Sequence, residues 1–81
     1  MEKYYYKIKP EIYNYIKKNK KTNKELMNRK VAKKIKKTEP YISGILNGKK
    51  TNISFTTAKC YAEALNPEWK IEDVFDIVER N

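Results

Sequence analysis

Few of the 81 residues could make or break bonds: there is no histidine, one cysteine (Cys60), and two glycines, Gly44 and Gly48. Without histidine, the commonest general acid–base and the commonest metal ligand are both missing. A single thiol permits no internal disulfide and no paired-thiol metal site. Two glycines four positions apart can write neither a P-loop nor a dinucleotide-binding turn. No enzymatic activity, cofactor or metal is therefore expected. What remains is the chemistry of recognition. Ser43, Asn47 and Glu39 can exchange hydrogen bonds, and the lysines can neutralise anions.

Charge narrows the target. The chain carries 19 Lys+Arg against 10 Asp+Glu, a net charge of +9. Residues 1–38 hold 14 basic and 3 acidic groups, a net +11, whereas residues 39–81 hold 5 and 7, a net −2. Between Lys17 and Lys37 stand 11 basic residues and one acid, Glu25. This is the footprint of a polyanion binder, with a solvated lysine-rich face as the competing reading. The length suits one small domain, taken as residues 10–81 behind an arm of residues 1–9. No apolar run approaches the roughly 18 residues of a membrane span, and the first residues lack a signal-peptide core. A cytoplasmic location is expected, and an unpaired cysteine suits a reducing compartment. Neither a membrane nor a small-molecule ligand is expected as a partner.

The elements that would position these groups are short helices. Pro10 followed by Ile12, Tyr15 and Ile16 predicts a first helix over about residues 10–20. In the arm, Tyr4, Tyr6 and Ile8 alternate like a strand, while Tyr4, Ile8 and Ile12 also fit a helix. Its conformation stays open, as does its role in packing against the body or reaching along DNA. The second helix starts at Thr22, as a capping box with Glu25, or at Asn28. Its apolar line is Met27, Val31 and Ile35 with Ala32 beside it, and lysines gather at its end, where cations suit the helix dipole.

Thr38-Glu39-Pro40 is a strong start signal for a third helix, Glu39 to about Leu46, closed by Asn47-Gly48. Ile42, Ile45 and Leu46 mark its buried side; Glu39, Pro40, Ser43 and Gly44 share the other. Ser54 caps a fourth helix, Phe55–Leu65, with Phe55, Ala58, Ala62 and Leu65 at core spacing. Asn66-Pro67 ends it. Cys60 within it is expected to be buried. Ile71, Val74, Phe75 and Val78 repeat as a fifth helix, and Trp69 is expected to pin the turn before it. The expected architecture is all-α, five helices without a strand.

Two helices joined by a turn of about three residues, the second with a small polar outward face, make a helix-turn-helix, here residues 28–47. Ala32 lets the two helices cross closely. The runs Val31-Ala32-Lys33-Lys34-Ile35, Thr38-Glu39-Pro40-Tyr41-Ile42-Ser43-Gly44-Ile45-Leu46-Asn47-Gly48-Lys49-Lys50 and Ala58-Lys59-Cys60-Tyr61-Ala62-Glu63-Ala64-Leu65 resemble the XRE-type family of phage Cro and repressor proteins. The likeness covers roughly residues 10–79 and implies a compact five-helix, lambda-repressor-like domain that binds DNA, commonly as a dimer. Two positions depart from the family: Lys36 stands where the turn usually has glycine, and Lys37 where an apolar residue is usual. A non-glycine residue in a left-handed turn costs on the order of 1 kcal/mol, which puts the tilt of the third helix in question.

Carried over by position, the resemblance implies that Glu39, Pro40, Ser43 and Gly44 face base edges, with Tyr41 at their margin. Ser43 can bond several bases, Glu39 can accept from a cytosine amino group, and Pro40 offers an apolar surface to a thymine methyl. Gly44 would let the helix approach closely. Asn28 and Asn47 resemble the family's phosphate contacts, with Lys36, Lys37, Thr38, Lys49, Lys50, Thr51 and Asn52 flanking them.

The implied function is a sequence-specific regulator of transcription, Cro- or repressor-like and of phage or mobile-element type, on a double-stranded operator. A homodimer would form through residues 69–78 or the arm and read half-sites roughly 34 Å apart. The alternative is an antitoxin-like protein-interaction module on the same fold, using the acidic end, where residues 61–81 carry a net −4.

Overall fold

The computed structural model describes residues 4–79. Met1–Lys3 of the arm and Arg80–Asn81 lie outside the described residues. A strand β1 (Tyr4–Ile8) leads into α1 (Pro10–Asn19), a 3-10 turn (Lys24–Leu26), α2 (Asn28–Ile35), α3 (Glu39–Leu46), α4 (Phe55–Leu65), a single turn α5 (Ile71–Val74) and β2 (Phe75–Glu79).

The chain is helix-rich, yet all-α needs correction: β1 and β2 form a two-stranded antiparallel sheet, Tyr4 opposite Glu79 through Ile8 opposite Phe75. In the arm, the two-residue alternation prevails over the helical spacing, since Tyr6 and Ile8 point into the core while Lys7 is exposed. The fifth helix is correspondingly cut to one turn. Ile71, Val74 and Phe75 are buried as their spacing requires, but Val78 is 47% exposed because the backbone has become a strand by then. Asp73 holds that turn by accepting the Lys70 N–H at 2.8 Å.

The core runs through every element. Ile42, Ala58, Ala62 and Val74 are fully enclosed, and Phe75 takes Tyr6 and Tyr61 against its ring at centroid distances of 6.2 and 5.7 Å. Burial pushes the Tyr61 phenol above its ordinary range. Phe55, expected in the core, is instead 56% exposed. It opens α4 in the first turn, where Ser54 Oγ accepts the Thr57 N–H at 3.1 Å, and the first buried side chain of that helix is Ala58. Cys60 is half-buried rather than enclosed. Trp69 pins the turn before α5 by edge-on contact with Tyr15 at 5.6 Å.

Candidate nucleic-acid interface

Of the two possible starts for α2, the structure takes Asn28. Thr22 and Glu25 form no capping box: Asn23 Oδ1 accepts the Glu25 N–H at 3.1 Å and the Thr22 hydroxyl donates to the Asn19 carbonyl, which closes a separate 3-10 turn. Asn28 is not a cap either. Met27 holds the cap position without a side-chain bond and its carbonyl takes the Lys30 N–H at 2.9 Å, so the amides of Asn28 and Arg29 are the ones left for an outside acceptor. They open on a groove of about 620 Å³ whose walls include Lys17, Lys20, Lys21, Lys24, Arg29 and, from α3, Glu39.

Lys36 ends α2 in the left-handed conformation, φ 60° and ψ 45°, where the family usually has glycine. Its N–H and that of Lys37 both reach the Ala32 carbonyl. The turn keeps its left-handed shape, with a lysine carrying the strain. Replacing Lys36 by glycine should therefore raise the unfolding free energy by up to about 1 kcal/mol in a denaturant titration, with a loss of stability as the contrary result.

Thr38 Oγ1 accepts the Tyr41 N–H at 3.3 Å and starts α3 where the sequence signal puts it. Ile42, Ile45 and Leu46 lie in the core at 0, 1 and 4% exposure. Glu39 and Pro40 stand in solvent; Tyr41, Ser43 and Gly44 are half-buried. Ser43 is tied to Asn47, whose Nδ2 donates to Ser43 Oγ at 3.1 Å, so a base-facing and a phosphate-facing candidate form one unit. The Ser43 hydroxyl hydrogen stays available to an acceptor.

Gly44 serves the fold itself. A Cβ there would lie 3.3 Å from Lys50 Cβ, and the Gly44 carbonyl accepts both the Lys49 and Lys50 N–H groups, at 3.0 and 2.9 Å. The missing side chain lets the loop after α3 fold back, with Gly48 at φ 75° making the turn. That return brings Lys50 Nζ to 4.9 Å from the Tyr41 ring centroid, while Lys37 Nζ approaches it at 5.1 Å. Tyr41 thus gathers one lysine from each flank of α3.

Not every lysine belongs to this surface. Lys34 makes the one ion pair among the described residues, 3.1 Å from Glu25, and bonds the Ala64 carbonyl at 3.3 Å. The Lys34 hydrogen bond and charge hold the Glu25 carboxyl below its ordinary range. Sequence spacing placed Lys34 only in the cationic end of α2; a Glu25–Lys34 separation of nine gives no local signal for the contact.

The helix-turn-helix family profile matches residues 12–68, from α1 through α4. The chain belongs to the XRE-type helix-turn-helix family. No curated protein and no solved structure matches it. The family is one of DNA-binding regulatory domains, generally without enzymatic activity. Both strands lie outside the helix-turn-helix match, which is why likeness to the family gave no warning of the sheet. No helix among the described residues is long and apolar enough to cross a membrane.

Proposed function

We propose that this helix-turn-helix chain is a sequence-specific regulator of transcription, Cro- or repressor-like and of phage or mobile-element type. It binds a double-stranded operator and blocks or biases polymerase access by occupying it. The observation that carries this reading is the division of α3. One side, with Ile42, Ile45 and Leu46, fills the core, while Glu39, Pro40 and Ser43 face outward between cations supplied by Lys36 and Lys37 before the helix and Lys49 and Lys50 after it.

The N-terminal end of α3 enters the major groove, about 12 Å wide, and the open amides of α2 at Asn28 take a backbone phosphate. Lys36, Lys37, Thr38, Asn47, Lys49, Lys50, Thr51 and Asn52 hold further phosphates and fix the register. Sequence is read by Ser43, Glu39 and Pro40, with Tyr41 at the margin. Gly44 contributes by keeping the helix surface low.

Selection of bound sites from a random duplex pool tests this directly. The wild type should enrich one motif, and Glu39→Ala and Ser43→Ala should each change the preferred base at one or two positions. An unchanged motif in both variants would remove these residues from the reading face, and no enrichment by the wild type would defeat the proposal.

A further inference from the structure

The groove at the start of α2 gathers cations to which the reading face assigns no role. Lys17 reaches it from α1, Lys20 and Lys21 from just beyond that helix, Lys24 from the 3-10 turn and Arg29 from α2, and all are exposed. None has a carboxylate partner, since the one ion pair among the described residues is Lys34 with Glu25. Like charges around one hollow repel, and an anion seated between them relieves that repulsion. The amides of Asn28 and Arg29 open on the same space and meet no acceptor among the described residues.

Two further features say which anion fits. The cations surround an apolar lining of Ile16, Leu26, Met27 and Leu46, and a volume of about 620 Å³ lies within the range of small-ligand sites. A sugar-phosphate backbone gains little from such a surface; a flat ring gains by covering it. Glu39, the first residue of α3, is the one acid on the wall among the described residues. Its carboxylate turns a phosphate away from that end and accepts hydrogen bonds there. The ligand therefore carries phosphates at one end, a planar ring in the middle and paired N–H donors at the other. Guanine presents two such donors side by side, on N1 and N2, matched to the two oxygens of a carboxylate; adenine sets its amino donor beside an acceptor nitrogen.

We propose that the groove between α1, the start of α2 and α3 binds a guanosine polyphosphate. Its phosphates lie on Lys20, Lys21, Lys24, Arg29 and the two free amides, and its base covers the apolar lining with the N1 and N2 hydrogens on Glu39. No phosphate-binding motif is needed, because the cations come from separate elements of the chain. Glu39 and the open amides also belong to the surface assigned above to bases and a backbone phosphate. Nucleotide and operator thus exclude each other, and the nucleotide becomes a signal that releases DNA. That regulatory consequence rests on the DNA-binding reading; the nucleotide site rests on the groove alone.

Isothermal titration at about 0.15 M salt, with a chelator present so that no divalent metal meets the phosphates, provides the test. GTP should bind with a dissociation constant of about 100 µM or tighter, at least about tenfold tighter than ATP or inorganic tripolyphosphate. Glu39→Gln exchanges one acceptor oxygen for a donor; it should bring GTP and ATP within about twofold of each other and leave tripolyphosphate binding no weaker. Arg29→Ala should weaken GTP at least about fivefold, whereas Lys59→Ala, which removes a charge from α4 outside the groove, should change it less than about twofold. All three side chains are exposed, so their replacement leaves the core untouched. Equal affinity for GTP, ATP and tripolyphosphate, a GTP preference that survives Glu39→Gln, equal weakening by Arg29→Ala and Lys59→Ala, or no GTP binding at about 1 mM would overturn the proposal. Anisotropy with the selected duplex separates the two readings. GTP should displace the duplex, and a bound duplex that GTP leaves in place would overturn the exclusion. A wild type that binds GTP but no duplex would strike the DNA-binding reading and leave the nucleotide site intact.

Discussion

Replacing Lys36, Lys37, Lys49 and Lys50 together with alanine should weaken duplex binding about a thousandfold at 0.15 M salt and flatten the log–log salt dependence by about 3.6. Both figures come from four neutralised phosphates at about 0.9 each, the value for double-stranded DNA. These four lysines are chosen because the structure sets them on the two flanks of α3, two of them drawn to the Tyr41 ring at 5.1 and 4.9 Å. Lys34, held by Glu25 and the Ala64 carbonyl, is the matched control, and its removal should change the slope far less. Anisotropy titrations at several salt concentrations measure both quantities. A slope that does not move would mean that DNA, if bound, lies on another face of the molecule.

Ile42→Ala should be the most damaging single replacement on α3. Ile42 has no exposure at all, and truncating a buried isoleucine costs about 2–5 kcal/mol. A domain of this length has only roughly 4–12 kcal/mol of stability. The melting temperature should accordingly fall by about 10–30 °C, read by circular dichroism at the helical minimum. Phe55→Ala, at a site 56% exposed, should change stability by no more than about 0.5 kcal/mol. Equal effects at the two positions would mean that α3 is not clamped to the core as described.

The contrast between these two residues shows what the amino-acid order reveals. Around α3 the signals are local and agree: Thr38 caps, Pro40 fits the first turn, Gly48 closes, and the three apolar residues fall on one side. Each acts within a few residues of the thing it determines. Phe55 satisfied the same helical spacing yet sits outside, because spacing fixes which residues share a side of a helix but not how far along that side the neighbours extend. Tyr61, enclosed with 1% exposure, lies three residues after Ala58 and so shares its stripe, although it was not among the core residues expected from the spacing.

The sheet was harder still. Tyr4, Tyr6 and Ile8 alternate visibly, but a strand of five residues means little until a partner is known, and the partner begins at Phe75. At the interface, residue types suggested which side of α3 faces outward. The Ser43–Asn47 bond, the fold-back permitted by Gly44 and the Lys34–Glu25 pair depend on the path of the backbone, which composition does not encode. Lys36 illustrates the reverse: the family position was legible, and an unfavourable residue fills it in the left-handed conformation.

The pairing of Ile8 with Phe75, 67 positions later, also sets an order of events during synthesis. At about 5–20 residues per second a ribosome needs roughly 3–13 s to cover that distance. In that interval α1 to α4 are synthesised, whereas β1 waits for a strand that does not yet exist. The helices from α1 to α4 are therefore made before the strand that completes the sheet.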